Sequence, residues 1–171
     1  ALNYAGLSFM VPLGLSYALT VRIGNARGEQ NPVALRQRAV GGLYLAAIIM
    51  ALAALVIFLF ARFIVGLYTN NAAIMPIAVN ILFIIGILQL VDGVQVCAAG
   101  ILRGLQDTKM PMFYALIGYW IIGFPCGLLL AYHFGYGIYG LWGGIVAGLT
   151  CNAILGVRRV LRMTRLSMVQ A

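Results

Sequence analysis

The sequence predicts an all-α membrane protein of about five transmembrane helices, on three observations: its composition, the length of its apolar runs and the placing of its charges. Of 171 residues, 64% are apolar and 8% are charged, against about 25% charged in an average soluble domain. A water-soluble fold of this size keeps a polar exterior and could not hide so much apolar surface. Lipid must be the solvent for most of the chain.

A span needs about 20 apolar residues at ~1.5 Å rise each. Runs at 2–21, 40–65, 74–101, 111–132 and 138–157 qualify. The first is followed by RIGNARGEQNPVALRQR, which holds Arg22, Arg27, Arg36 and Arg38. Within it, Asn31 is placed to cap a short helix opening at Pro32, suited to lying along the interface. The second run ends in an uncharged connection over 66–73, and the third in a connection carrying Arg103 and Lys109. Asp107 is placed there to pair with either. An uncharged turn around Gly135 and Gly137 separates the fourth run from the fifth, which leads into a basic tail, 158–171, with Arg158, Arg159, Arg162 and Arg165. Of the 11 basic residues, all but Arg62 fall on one side. By the positive-inside rule that side, and with it the C-terminus, is cytoplasmic.

The connections leave no room for an appended soluble module, so residues 1–171 form a single transmembrane domain. The sequence opens in apolar residues with no initiating Met, and the expectation is a fragment. A net charge of +8 would suit nucleic acid, but the basic residues sit in short clusters between apolar runs and form no basic helix face. They flank the membrane and meet anionic headgroups; the bilayer is the expected partner, and nucleic acid is not. Cys97, Cys126 and Cys151 lie inside apolar runs and read as packing residues. His133 belongs to the outer interface. Paired acid–base groups, His clusters, Cys/His ligand spacings and phosphate loops are missing, so neither an enzyme nor a cofactor is expected.

Asp92 is the one acidic residue inside any span, ~16 Å along its helix from Arg103 and close to the middle of a ~30 Å hydrocarbon core. A central Asp costs about 2.5 to 3.5 kcal/mol on insertion scales, so something must offset it. Gln89 and Gln95 lie three residues to either side, and Asn80 further along. This polar face suits a proton or cation site; the plainer alternative is a protonated Asp bonded to a neighbouring helix. Asp92 is also the one candidate ligand for Na+. In the last span Gly140, Gly144, Gly148 and Gly156 recur at multiples of four, with Asn152 in the gap, a ridge that lets another backbone approach. Gly123 and Gly127 form a similar ridge around Pro125, where a kink is expected. Tyr119 and Trp120, mid-span aromatics, are candidates to line a pocket for flat organic cations, or are plain core.

Three passages resemble the multidrug and toxic compound extrusion (MATE) family, most of all its bacterial NorM branch. They are PLGLSYALTVRIGNARGEQNPVALRQRA (12–39), QLVDGVQVCAAGILRGLQDTKMP (89–111) and YGIYGLWGGIVAGL (136–149). The resemblance implies a twelve-helix, two-lobe transporter in which this chain supplies helices eight to twelve, most of the C-terminal six-helix lobe. It implies export of toxic organic compounds in exchange for Na+ or H+ across the bacterial inner membrane, with Asp92 matching a cation-binding acid of the tenth helix. The glutamate that NorM-type members supply from helix seven would lie upstream, and an N-terminal lobe would be the partner. A lipid-linked oligosaccharide flippase of the wider superfamily is the nearest alternative. A membrane-embedded enzyme and a structural subunit stand further off.

Overall fold

The computed structural model describes the backbone of residues 2–67 and 75–169 and the side chains of 9–67 and 75–167. Five long helices run through it: α1 (Leu2–Gly28), α2 (Pro32–Gly66), α3 (Met75–Gly104), α4 (Lys109–His133) and α5 (Ile138–Val169). By length and apolarity α2, α3, α4 and α5 can each cross a membrane. The first expected span falls on α1, whose opening side chains lie outside the described residues. Large apolar side chains such as Leu59, Phe63 and Ile121 point outward, as expected where hydrocarbon surrounds the helices.

Asn31 does cap a helix: its Oδ1 accepts the Ala34 N–H at 3.0 Å, with Pro32 at the first position. The expected short interfacial helix, however, is only the first turns of α2, which continues to Gly66. No proline follows Pro32 to stop it. At 35 residues α2 is ~50 Å long, well beyond a ~30 Å core. The 32 residues of α5 likewise overshoot. Their basic ends project together.

The central helix is α3, which packs on α1, α2 and α5, while α4 lies along α5. Small residues set these distances. A methyl on Gly100 would meet the Ser16 carbonyl oxygen at 2.5 Å, and one on Gly104 the Thr20 carbonyl oxygen at 2.7 Å. With the backbones this close, Ser16 Oγ donates to the Val96 carbonyl and Thr20 Oγ1 reaches the Gly100 carbonyl, each at 2.9 Å. The largest apolar core fills this basic end, from Leu19 and Ile23 through Leu35 and Ala39 to Ile101, Leu102 and Val160. A smaller one joins Ile57, Ala61 and Val65 to Leu82 at the other end.

Around Pro125, α4 is wound wide, with π turns at Ile117–Gly123 and Leu129–His133. Proline has no N–H and its ring crowds the preceding turn, and wider i→i−5 bonding is one way a helix accommodates that. The Phe124 N–H bonds the Tyr119 carbonyl in this pattern.

Asp107 corrects its expected pairing. It binds neither Arg103 nor Lys109 but Arg159, Nε to Oδ2 at 2.9 Å. The loop after α3 faces the turn of α5 that carries Arg159, towards the C-terminal end of that helix, whereas Arg103 is already committed. Its Nη2 donates to Ser16 Oγ at 2.9 Å, its Nε to the Ala99 carbonyl, and its guanidinium lies over the Tyr17 ring. Arg27 donates to the Leu105 carbonyl at the end of α3.

A candidate cation and substrate cleft

A cleft of about 400 Å³ opens between α1, α3, α4 and α5. From α3 it receives Ile85, Leu88, Gln89, Asp92 and Gly93; from α4, Tyr119; from α1, Phe9 and Pro12; from α5, Trp142, Ile145 and Leu149. Its location follows from the packing. Below it the α1–α3 seam is closed by glycines, and Gly93, at the edge of the cleft, also sits against Met50 of α2, so the cleft opens along the flank of α3 that carries Gln89 and Asp92.

The walls are apolar and aromatic, and Gln89 and Asp92 bring an amide and a carboxyl group into them. Gln89 is buried, and both polar atoms of its amide lack a partner among the described residues. An unpaired buried amide costs about 1–3 kcal/mol, so its presence needs a reason. Asp92 makes no hydrogen bond or ion pair with the described residues. An unpaired carboxylate beside an unpaired amide, in a cleft of low dielectric, can hold a proton, a small cation or a cationic organic molecule. An aromatic ring face such as that of Tyr119 adds attraction for a flat cation.

The structure gathers three of the five residues singled out for this chemistry, Asp92, Gln89 and Tyr119. Gln95 is not among the lining residues; its Oε1 is buried elsewhere without a partner. Steps of three residues turn about 60° around a helix, so Gln95 lies about 120° from Gln89. Trp120 also stays out: it is 68% exposed and its ring meets Phe124 at 6.2 Å. Adjacent helical residues diverge by about 100°, which carries Trp120 outward when Tyr119 points in. Asn80 lies in a separate outer groove with Arg62. Gly140, Gly144 and Gly148 pack on α4, where a methyl at Gly144 would meet Gly127 and Gly123. Trp142, Ile145 and Leu149 were not singled out from the sequence, although their i, i+3, i+7 spacing marks a stripe beside the glycine ridge. Among the described residues, no three His, Cys, Asp or Glu side chains gather to hold a metal.

These features define a lobe of a multi-pass membrane transporter, with a polar focus at the heart of an apolar bundle. The family model described as MatE matches residues 1–129, and the chain belongs to the MATE family, whose members are transporters rather than enzymes. It is 46% identical over 160 residues to "Multidrug resistance protein NorM" of Burkholderia vietnamiensis, covering 91% of this chain and 35% of that protein. It is 42% identical over 172 residues to "Probable multidrug resistance protein NorM" of Mesorhizobium japonicum, covering 98% and 37%. The chain thus spans little more than a third of the length of these relatives. An outward-facing multidrug resistance MATE transporter superposes with a TM-score of 0.88 at 20% identity, over 98% of this chain and 38% of that one. An inward-facing one gives 0.87 at 19% identity, over 99% and 39%.

Proposed function

We propose that this chain is the C-terminal lobe of a cation-coupled multidrug efflux antiporter of the bacterial inner membrane, working with an N-terminal lobe. Organic cations leave in exchange for Na+ or H+, the basic tail lies in the cytoplasm, and residues 1–171 act as one transmembrane domain. One observation carries the reading: Asp92 and Gln89, neither hydrogen-bonded to a side chain or backbone group among the described residues, meet Tyr119 in one apolar cleft. A half-buried carboxylate in an apolar cleft costs free energy that a proton, a sodium ion or a substrate cation can offset, each at the expense of the others. That competition is what an antiporter needs, because linkage makes each ligand weaken the other's binding by the same factor. The Gln89 amide offers its oxygen as a second ligand to a sodium ion or its N–H as a donor to the carboxylate or a bound substrate, and the aromatic walls take the flat body of a drug. Gln95 stands behind this site as a polar neighbour, and Trp120 faces outward. The relatives named for multidrug resistance support the substrate class.

The test is Asp92→Asn in a complete transporter carrying this chain, with efflux of a fluorescent organic cation measured from vesicles under an imposed proton or sodium gradient. The variant reaches the membrane at normal levels and retains drug binding within a few-fold, yet gradient-driven efflux falls to the background of empty vesicles. Undiminished efflux at equal expression would leave Asp92 as a structural residue and remove the coupling reading.

A further inference from the structure

Arg62 breaks the pattern of the other basic residues, and the fold gives it a particular setting. It lines a groove of about 610 Å³ between the end of α2 and the start of α3, together with Asn80, Phe58 and Phe83. The two helices run antiparallel, with Met50 against Gly93 and Phe58 against Gly86. Residues three or four apart stand one turn apart on the same flank, so Phe58 lies one turn below Arg62 and Phe83 one turn below Asn80. The groove is therefore layered, with a guanidinium and an amide at its mouth and two rings beneath, their centroids 5.7 Å apart. The lower layer is fixed from behind, because a methyl on Gly86 would meet the Phe58 ring at 3.1 Å.

The layering matches the depth. Asn80 lies ~18 Å from Asp92 along α3 and Phe83 ~13 Å. With Asp92 near the middle of a ~30 Å core, the polar layer falls at headgroup level and the rings just inside the hydrocarbon. This chain has no carboxylate to offer Arg62. The sequence has three Asp and Glu residues: Glu29 and Asp107 pair with Arg38 and Arg159 at the basic end, and Asp92 sits in the central cleft. The connection 68–74, YTNNAAI, holds none. Arg62 makes no hydrogen bond or ion pair with the described residues. A guanidinium fork matches phosphate oxygens two at a time, and the Asn80 amide adds a further donor. The rings supply what a soluble anion has no use for, an apolar bed directly beneath the charge.

We propose that this groove holds one phospholipid of the leaflet opposite the basic tail, its phosphodiester on Arg62 and Asn80 and its first acyl carbons over Phe58 and Phe83. That leaflet is the outer one on the proposed orientation, and the binding does not depend on it. The lipid ties α2 to α3 where the smaller apolar core closes this end of the lobe.

The experiment takes a complete transporter carrying this chain, purified in mild detergent, and reads bound lipid by native mass spectrometry. Phosphatidylglycerol is compared with diacylglycerol of the same chains, which lacks the phosphate, and the parent retains the first in preference. An arginine near the surface is worth about fivefold in retention, so R62Q loses phosphatidylglycerol by about that factor and holds diacylglycerol as before. R62Q removes a basic residue from the side that carries fewest, so insertion does not suffer. R62F/F63R keeps composition and depth but turns the guanidinium about 100° around α2, out of the groove, and loses as much as R62Q. Unchanged retention by R62Q overturns the proposal, as it would if the remainder of the protein covered the groove. Parent-like retention by R62F/F63R would show that the arginine serves any passing headgroup, and displacement by millimolar inorganic phosphate would assign the groove to a soluble anion; either result overturns it equally. The readout is lipid, not efflux, so it is independent of the role of Asp92.

Discussion

The seam between α4 and α5 can be tested with a single methyl group. A Cβ built on Gly144 would lie 2.5 Å from the Gly123 carbonyl oxygen and nearer still to the backbone of Gly127, where ordinary contact begins at 3.4 Å. These neighbours are backbone, so no side chain can swing aside, and Gly144→Ala must push the two helices apart by about 1 Å. A gap of that size forfeits a quarter to a half of the contact energy of the atoms lining it, and overpacking of this kind costs about 1–3 kcal/mol. Hydrocarbon cannot restore the loss, since lipid gives two helices no hydrophobic reason to rejoin. The control is Gly41→Ala on α2, where an added methyl meets nothing within 4 Å and should be neutral or gain up to about 1 kcal/mol of helix propensity. Thermal denaturation of the complete transporter in detergent, followed as loss of the monodisperse peak in size exclusion, separates them. Gly144→Ala melts lower by several degrees, and on the proposed function it also weakens drug binding, because α4 carries Tyr119 into the cleft. Equal melting of the two variants would show that α4 and α5 do not touch as described, and the position assigned to Tyr119 would fall with the seam.

Two further outcomes are expected. Gln106 ends α3 with φ 61°, a left-handed conformation that costs a residue with a side chain about 1–2 kcal/mol; Gln106→Gly therefore raises the melting temperature, Gln106→Ala does not, and a lower value for the glycine variant would contradict the cap. The Asp107–Arg159 pair, its side chains 12% and 31% exposed, predicts that Arg159→Gln costs about 1–3 kcal/mol by leaving a half-buried carboxylate unpaired. D107N/R159Q should recover most of this in a double-mutant cycle, and strictly additive effects would mean the pair contributes nothing.

Most of the fold was legible because bilayer physics writes it in coarse features: run length, the placing of arginines, and glycines every fourth residue. The ridge at Gly140, Gly144 and Gly148 could be read as packing, but its partner could not, since spacing says that a backbone comes close and not whose. The second such seam, Gly100 and Gly104 against α1, went unread although its spacing is the same. Ion pairs were least legible. Asp107 has basic residues within four positions on either side, and its actual partner lies 52 residues away, because both elements project beyond the membrane where the sequence carries no depth signal. The site was half legible. Asp92 announces itself by cost, while the inward turn of Tyr119 and the outward turn of Trp120 depend on helix rotation, which neighbouring helices decide.

The distribution of bonds along α3 gives the candidate site its physical character. From Val96 to Leu105 this helix is fastened: Ser16, Thr20 and Arg27 bond its carbonyls, Cys97 directs its thiol at the Pro12 carbonyl, and Arg103 returns to Ser16. One turn further on, at Asp92 and Gln89, side-chain bonds stop among the described residues and the cleft begins. A fully apolar helix would be cheaper at that depth, and a fully bonded polar one would be rigid and indifferent to ligands. Unpaired polar groups on a helix anchored just below them are neither. Their free energy depends on what enters the cleft, whereas that of the fastened segment does not. On the proposed coupling role this is the needed asymmetry, because a ligand shifts a conformational balance only by the difference it makes between states.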